Sequence, residues 1–415
     1  MKRVEILAVG SELLTPFFQD TNSLFLTERL NSLGLDVSFK MIVGDEEEDL
    51  VLGLEDAVRL SDLILVMGGL GPTADDRTRE AAARVFGRKL IPCPEVMERI
   101  QDRFRRRGLS MPDCNRKQSL ILEGAEVLRN DFGTAPGQWI DRNGKIIVLL
   151  PGPPHELKPM FDAHVLPRFE CFRLGHFFRK TLKLTGITES AVEDLMTGLT
   201  PDDPSLGISI LAQPGQIEIH LKSLSPSSPE EAEARLKPFE NALLSRIGEN
   251  VFSVDGKSLE EVVGSLLCSL NATLACAESC TGGLISHRLT NVPGISRGYL
   301  GGMIAYSNRA KTDWLGVGRD VLIASGSVSA QAAEAMAAGV RRESGADFGL
   351  AVTGIAGPGG GTPEKPVGLV YTALAEENGV ESSRNLFLGD RDQIKFQSSQ
   401  KALDMLRRRL LVRRP

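Results

Sequence analysis

The chain of 415 residues is poor in cysteine and histidine and contains no long apolar segment. Its six cysteines stand singly, without the paired spacing of a disulfide framework or a zinc site, which favours a reducing compartment. The N-terminus runs directly into an apolar strand without a signal-peptide pattern, and no apolar run approaches the length of a membrane span. We therefore expect a cytoplasmic protein without a membrane partner.

Positive charge is also in deficit, because the formal net charge at pH 7 is −6. An acidic balance argues against non-specific binding of nucleic acid, and no sizeable patch combines basic and aromatic residues. The two basic runs, at 103–107 and 407–409, are more typical of the solvated face of a helix than of a phosphate track. No direct contact with nucleic acid is expected.

What the sequence has is an alternation of short apolar strands and helical patterns, which predicts an α/β protein. At about 150 residues per domain, its length corresponds to two to three domains. We predict two three-layer α/β/α domains with mostly parallel sheets, at residues 1–170 and 257–413. A composition shift after residue 169 and loops near 201–205 and 225–229 predict a small α+β domain between them, at 175–250.

A serine and a lysine follow neighbouring strands of the last domain. Ser279 lies at the mouth of the buried strand 273–277 and at the start of a helix, and Lys311 lies one helical turn beyond the next strand. A serine hydroxyl is a poor nucleophile unless a base takes its proton. The only histidine after residue 250, His287, falls in the middle of a helix, so Lys311 is the best-placed base. The pattern favours a Ser–Lys hydrolase over a Ser–His–Asp hydrolase.

Each of these residues also has a plainer interpretation. Ser279 alone would be a helix N-cap, and Lys311 alone would be a surface residue. Cys280 is a rival nucleophile, although no acid–base partner of the usual kind is visible for it. The features gain weight together because they all lie at strand ends of one unit, where ligands bind in open α/β sheets. A glycine-rich loop at 352–361, whose glycines have no evident packing role, would wrap a ligand there.

The motifs at these strand ends resemble those of the CinA family, the competence/damage-inducible proteins. They lie at 277–283, 306–311, 353–358, 365–368 and 389–391. The last domain is similar to nicotinamide-nucleotide amidohydrolases, which convert nicotinamide mononucleotide (NMN) to nicotinate mononucleotide and ammonia. The resemblance implies Ser279 as the nucleophile and Lys311 as the general base, with no cofactor in this domain.

The resemblance implies supporting roles as well. Tyr306 and Thr353 would donate or accept hydrogen bonds, and Glu278 would orient the site and face the positive pyridinium of the substrate. The remaining predicted substrate contacts are Thr281, Gly282, Gly283, Asn308, Gly354, Gly357, Gly359 and Arg391.

In the first domain, a glycine loop at 68–71 follows the buried strand 63–67 and leads into a helix, which is a phosphate-binding arrangement. Asp75 and Asp76 come next, either as ligands of a divalent metal or as helix caps. The loops at 10–14, 133–137 and 151–156 accompany it, and the last presents Glu156 beside a strand end.

This first unit resembles the molybdopterin-binding fold. Within the CinA family it is similar to an ADP-ribose pyrophosphatase, which cleaves ADP-ribose to AMP and ribose 5-phosphate with a divalent metal such as Mg²⁺. We predict Asp76 and Glu156 as the metal ligands. The family usually has a glycine two residues after the Glu-Leu-Leu of its first loop, whereas the segment 15–19 here reads Thr-Pro-Phe-Phe-Gln. The predicted substrate contacts are Gly10, Glu12, Gly69, Gly71, Thr73, Asp75, Thr134 and Gly152.

The whole pattern predicts a bifunctional enzyme of pyridine-nucleotide recycling that binds NMN and ADP-ribose. The middle unit resembles the KH-like insert of the family, but it lacks the clamp and stacking aromatics of an RNA-binding module, so we interpret it as a spacer or dimer element. A homodimer is expected from the resemblance alone. Two alternatives stay open: a deamidase with a non-catalytic nucleotide- or pterin-binding module, and an adaptor protein in DNA uptake or recombination.

Overall fold

The computed structural model describes residues 2–173, 175–199, 203 and 205–413. Two compact units form: the first comprises the chain up to Phe178 with Leu224–Ala232, and the second comprises Arg179–Ser223 and the chain from Glu233 onward. Among the helices of these described residues, none combines the length and apolar character needed to cross a bilayer.

Within residues 2–173, the first unit contains eight strands and six α-helices. Its strands are β1 (Val4–Val9), β2 (Val37–Val43), β3 (Leu63–Met67), β4 (Leu90–Pro92), β5 (Leu120–Leu122), β6 (Glu126–Leu128), β7 (Gly137–Arg142) and β8 (Lys145–Leu150). Its helices are α1 (Asn22–Ser32), α2 (Glu47–Leu60), α3 (Thr78–Phe86), α4 (Pro94–Arg106), α5 (Pro154–Met160) and α6 (Leu166–Phe169).

Six of these strands form one sheet in the order β2-β1-β3-β8-β7-β6. The first four strands in this order are parallel, and β7 and β6 continue the sheet antiparallel. Strands β1 and β3 are buried along their whole length, because helices cover both faces of the sheet. Alternate residues of β1 show this, since Ile6 packs with α1 and α5 whereas Leu7 packs with α2 and α3.

Strand β7 was not predicted from the sequence, although a signal was present. The turn between β7 and β8 consists of Asn143 and Gly144, both with positive φ, at 53° and 79°. Asn-Gly between two apolar stretches is the strongest short-range signal of a hairpin, because both residues tolerate the left-handed region.

The described residues of the middle of the chain form a four-stranded sheet in the order β10-β11-β9-β12, accompanied by two α-helices. Strand β11 alternates strictly between half-buried and buried residues, as a strand with one covered face does. The elements are β9 (His176–Leu184), α7 (Glu189–Met196), β10 (Leu206–Gln213), β11 (Gln216–Ser225), α8 (Pro229–Ile247) and β12 (Val251–Ser253).

The last part of the chain forms a five-stranded sheet in the order β14-β13-β15-β16-β17, in which the first three strands are parallel and the last two antiparallel. Its strands are β13 (Leu274–Glu278), β14 (Tyr299–Ile304), β15 (Phe348–Gly354), β16 (Leu369–Glu376) and β17 (Gly379–Leu386). Its helices are α9 (Leu259–Ser269), α10 (Leu284–Thr290), α11 (Asn308–Leu315), α12 (Arg319–Ala324), α13 (Ala330–Ser344) and α14 (Arg391–Val412).

The two faces of this sheet differ in side-chain size. One face carries leucines and valines that pack against α9 and α14, and the other carries mainly alanines that pack against α13. Small side chains let α13 approach closely, and a Cβ at Gly349 of β15 would lie 2.1 Å from the carbonyl oxygen of Ala337. The layers thereby hold the carboxyl ends of β13, β14 and β15 side by side.

The basic run at 407–409 is not a solvated helix face. Arg407 is 3% exposed and pairs with the equally buried Asp404 at 2.7 Å. Arg408 also pairs with Asp404, and Arg409 pairs with Glu376. These charges are used inside the fold, so the expectation for this run was wrong.

Candidate functional site

Ser279 and Lys311 meet at the carboxyl end of the second sheet. Lys311 Nζ lies 2.9 Å from Ser279 Oγ and donates a second hydrogen bond to the carbonyl of Ala305 at 2.9 Å. The lysine is 2% exposed and the serine 7%. The structure therefore places the predicted nucleophile and the predicted base in direct contact, shielded from most solvent.

Local structure explains why the lysine points at the serine. Helix α11 begins after Ser307, whose side chain caps it by accepting a hydrogen bond from the backbone N–H of Ala310. Lys311 lies in the first turn of this helix. Helical side chains lean toward the N-terminus, so its amine reaches back over the end of β14.

Burial lowers the pKa of the Lys311 ammonium, because removal from water penalises its charged form. Among the described residues, no carboxylate forms an ion pair with Lys311 that would counter this effect. Burial raises the pKa of the neighbouring Cys280 thiol to about 12. The two shifts favour a neutral amine beside a serine and a protonated, unreactive cysteine.

Ser279 is not a helix cap. Helix α10 begins only at Leu284, and Gly283, in the left-handed region with φ 96°, occupies the N-cap position. The cap function is taken over by Glu278, whose carboxylate accepts hydrogen bonds from the backbone N–H groups of Gly283, Ile285 and Ser286. The Ser286 hydroxyl donates to it as well.

This use of Glu278 corrects one prediction. The side chain is fully buried beneath the turn, with both carboxylate oxygens taken up by helix α10. It does not face the cavity, so the predicted contact with a substrate pyridinium is wrong. Glu278 instead fixes the path of the chain from Ser279 into the helix.

A cavity of about 160 Å³ opens beside the Ser279–Lys311 pair. Arg391 lies in its wall, donating from Nη1 to the Gly357 carbonyl at 2.6 Å and from Nη2 to Tyr306 Oη at 3.2 Å. Tyr306 and Arg391 lie at the rim of the cavity, because Tyr306 is 62% exposed and Arg391 is exposed as well. The lining residues are Ser279, Cys280, Tyr306, Lys311, Ser327, Val328, Thr353, Gly354, Ala356 and Arg391.

Two of these lining residues, Ser327 and Val328, were missed from the sequence. They belong to the connection between α12 and α13, which Thr353 Oγ1 holds by donating to the Ser327 carbonyl at 2.7 Å. Lys365 Nζ donates to the carbonyls of Ser325 and Val328 at 2.7 and 2.8 Å. Thr353 and Lys365 thus hold this wall of the cavity in place through hydrogen bonds to its backbone carbonyls.

Several predicted substrate contacts do not line the cavity as it stands. Gly357 packs against Val367, where a Cβ would lie 2.7 Å from a methyl carbon, so the glycine loop does have a packing role. Thr281 is fully buried, and its hydroxyl oxygen has no hydrogen-bond partner. The predicted residues outside the lining are Glu278, Thr281, Gly282, Gly283, Asn308, Gly357 and Gly359.

The first unit has its own cavity, of about 570 Å³, at the carboxyl ends of β1, β3 and β8. The glycine loop after β3 forms one wall, and a Cβ at Gly68 would lie 2.2 Å from the Val9 carbonyl oxygen. Buried Arg79 holds this loop from behind by donating to the carbonyls of Leu70 and Gly71. Of the predicted residues, Gly10, Glu12, Gly69, Gly71, Asp75, Asp76, Thr134, Gly152 and Glu156 line this cavity.

Thr73 does not line it, and it hydrogen-bonds Asp76 instead. The Asp76 carboxylate accepts from the backbone N–H groups of Gly71 and Thr73, both at 2.8 Å. Helix α3 begins at Thr78 after Arg77, which makes no side-chain cap. Neither aspartate therefore caps the helix, and Asp76 shapes the glycine loop.

The predicted metal ligands Asp76 and Glu156 both line this cavity, and each already accepts hydrogen bonds from the protein. Glu156 accepts from Asn130 Nδ2 at 2.7 Å, and Asp76 is occupied by its own loop. Among the described residues, no group of three or more histidine, cysteine or acidic side chains is placed to hold a metal ion. A divalent metal held here would therefore need further oxygen ligands from the substrate and from water.

Comparison with known proteins agrees with this architecture. The family models for the probable molybdopterin binding domain, the damage-inducible protein CinA KH domain and the CinA C-terminal domain match residues 5–170, 179–253 and 256–410. A CinA-like protein of Koribacter versatilis is 44% identical over 98% of this chain and 99% of its own. A putative competence-damage inducible protein of Caldicellulosiruptor bescii is also 44% identical, with the same coverage.

A crystal structure of the competence/damage inducible protein CihA from Agrobacterium tumefaciens is 42% identical, covering 36% of this chain and 94% of that one with a TM-score of 0.35. With relatives of such identity over its full length, the chain belongs to the CinA family. The predicted fold class, α/β with a small KH-like domain between two larger parts, is confirmed.

Proposed function

We propose that the last domain is a cytoplasmic Ser–Lys amidohydrolase that converts NMN to nicotinate mononucleotide and ammonia. The observation that carries the proposal is the 2.9 Å contact between Lys311 Nζ and Ser279 Oγ in a buried setting. Within the part of the chain that the structure describes, Lys311 has no carboxylate partner. A neutral amine at that distance is a general base, and the serine hydroxyl is then the group it activates.

The chemistry follows from these two groups. Lys311 takes the Ser279 proton while Oγ attacks the amide carbonyl carbon, and the amide C–N bond then breaks as the lysine returns the proton to the departing ammonia. Water attacks the resulting ester by the reverse proton path and releases the carboxylate. The backbone N–H groups of Cys280 and Thr281 bond to no backbone carbonyl among the described residues and lie close to the Cys280 sulfur. They are the donors nearest in sequence to Ser279, and we assign the oxyanion to them.

Arg391 is the residue we assign to the substrate phosphate. Its guanidinium lies in the cavity wall, already oriented by the Gly357 carbonyl and the Tyr306 hydroxyl. A planar fork of donors suits a phosphate better than a point charge does. The described residues that line this cavity include no carboxylate for the pyridinium to meet, which leaves the phosphate as the anchoring group.

The test is ammonia release from NMN, without added metal, by the wild type, Ser279→Ala and Cys280→Ala. We expect activity in the wild type and in Cys280→Ala, and none in a folded Ser279→Ala protein. An inactive wild type would show that the site binds without turnover, and the adaptor alternative, tested by pull-down from cell extract, would then move forward. Loss of activity in Cys280→Ala alone would identify the thiol as the nucleophile.

A second candidate function, hydrolysis of ADP-ribose to AMP and ribose 5-phosphate, concerns the first unit. It is favoured by the 570 Å³ cavity, whose wall is a glycine loop leading toward helix α3. The test compares AMP formation with Mg²⁺ and with a chelator. Binding of ADP-ribose without AMP formation under both conditions would favour the non-catalytic nucleotide-binding module.

A further inference from the structure

A second cavity of the first unit, of about 330 Å³, is lined by five arginines. It lies between helix α4 and the segment 129–136, and we call it the arginine cleft. The arginines are Arg99, Arg103, Arg106, Arg107 and Arg129, accompanied by Val96, Ile100, Asp102, Asn130, Asp131, Gly133, Thr134 and Pro136. So dense a positive charge stands out in a chain whose net charge is −6.

Most of this charge is not neutralised within the protein. Of the two acidic lining residues, Asp102 pairs with Arg105, which points outside the cleft, and Asp131 pairs with Arg129. Arg103 donates to the backbone carbonyls of Asp131 and Phe132, which fixes its position without cancelling its charge.

The remaining arginines of the cleft are exposed and unpaired. Within the part of the chain that the structure describes, Arg99, Arg106 and Arg107 form no ion pair or hydrogen bond to a side chain. Like charges three and four residues apart repel one another on a helix. A helix C-terminus attracts cations, which accounts for Arg106 and Arg107 but not for Arg99, in the middle of α4.

We propose that the arginine cleft binds a phosphate monoester. Guanidinium groups match phosphate oxygens with paired donors, and the cavity lies at the small end of the usual range of about 300–1,000 Å³ for ligand pockets. It suits a phosphate with a small substituent, such as a sugar phosphate, better than a dinucleotide. The proposal does not depend on hydrolysis of ADP-ribose in the neighbouring cavity.

The cleft adjoins the larger cavity of the same unit. Thr134 lines both, and Asn130 of the cleft donates to Glu156, which lines the larger cavity. A phosphate can therefore arrive in two ways: as a free phosphate or sugar phosphate, or as an extra phosphate on a nucleotide held next door.

The first experiment is calorimetric titration of the full chain with inorganic phosphate and with ribose 5-phosphate. The variants are the double substitution Arg99→Gln/Arg106→Gln and, as a matched control, Arg105→Gln, which changes the same helix outside the cleft. Losing one guanidinium contact to a phosphate lowers affinity about tenfold, so the double variant should bind roughly a hundredfold more weakly. The control releases the Asp102 carboxylate from its exposed ion pair with Arg105, so it should bind less than about fivefold more weakly than the wild type. Circular dichroism verifies that each variant is folded.

A second arm distinguishes the two sources of phosphate. If the phosphate is carried by a nucleotide, ADP-ribose 2′-phosphate binds more weakly to the double variant, whereas unmodified ADP-ribose binds both proteins equally. If it is free, ribose 5-phosphate alone shows the difference. A single-stranded oligonucleotide is titrated as a further probe. The proposal is overturned if the wild type binds none of the phosphate ligands, or if the control loses as much affinity as the double variant. It is also overturned if the oligonucleotide is the one probe that binds the wild type and the double variant differently.

Discussion

Replacing Lys311 by methionine tests the buried base more sharply than a simple activity assay. Methionine keeps an unbranched chain of similar length but removes the amine, and with it the hydrogen bond to the fully buried Ala305 carbonyl. Leaving that carbonyl unpaired costs about 1–3 kcal/mol. Removing a buried ionisable group returns a similar amount, since replacing such groups by apolar ones is often neutral or stabilising. At neutral pH the free energy of unfolding should change by less than about 2 kcal/mol.

The decisive quantity is how the difference in free energy of unfolding between the wild type and Lys311→Met changes with pH. The unfolded lysine titrates near its ordinary pKa of about 10.4, whereas burial lowers the pKa in the folded protein. Between the two values the unfolded state binds more protons, so wild-type stability rises with pH. The cost of the buried charge is fully present below the folded pKa and disappears as the pH rises through about 10.4. The methionine variant lacks this contribution entirely.

The assay is denaturant unfolding of both proteins at a series of pH values from neutral upward. We expect the wild type to gain stability relative to Lys311→Met until the pH reaches about 10.4. Its deamidase rate should rise only through the lower pKa of the folded protein and stay level above it. A difference in stability that stays constant with pH would refute the reasoning, because Lys311 would then have an ordinary pKa and be protonated at neutral pH. The variant should release no ammonia at any pH.

Three further outcomes follow from the sites. Cys280, whose thiol pKa of about 12 keeps it protonated, should resist alkylation at neutral pH in the folded protein, and rapid labelling would contradict its burial. Glu278→Gln should lower the free energy of unfolding by about 2–4 kcal/mol in denaturant titrations, because one carboxylate oxygen becomes a donor facing donors. Phe18→Ala should weaken ADP-ribose binding about tenfold in calorimetry, because Phe18 lines the larger cavity and offers a stacking face. Phe17→Ala should leave binding unchanged, because Phe17 lies outside that lining. Equal effects of the two substitutions would exclude stacking.

The contact between Ser279 and Lys311 was predictable because its geometry is nearly local. Ser279 directly follows strand β13, and Lys311 lies just beyond β14, which pairs with β13 in parallel. Parallel neighbours end at the same edge of a sheet, so the spacing along the chain already brings the two side chains together. The wall formed by Ser327 and Val328 was not predictable in this way, because Lys365 tethers it through carbonyls about 40 residues away in sequence.

Side-chain partners account for the wrong predictions. The sequence alone suggests that a carboxylate such as Glu278 is a free charge. In the fold its oxygens accept hydrogen bonds from N–H groups at the start of helix α10. Asp76 behaves likewise toward its glycine loop. A helix start leaves several N–H groups without partners, and a nearby carboxylate that meets them is no longer available to a ligand.

The sequence by itself determined the α/β architecture, the strand ends where the candidate site lies and the Ser279–Lys311 pair, because these depend on apolar periodicity and on order along the chain. The tertiary structure alone decided which charged side chains are neutralised by an ion pair inside the fold. Arg407 is neutralised inside the fold, whereas Arg106 and Arg107 line an open cleft and have no ion-pair partner among the described residues. Both runs look alike as sequence, since a charge is satisfied or left free by whatever distant segment packs against it.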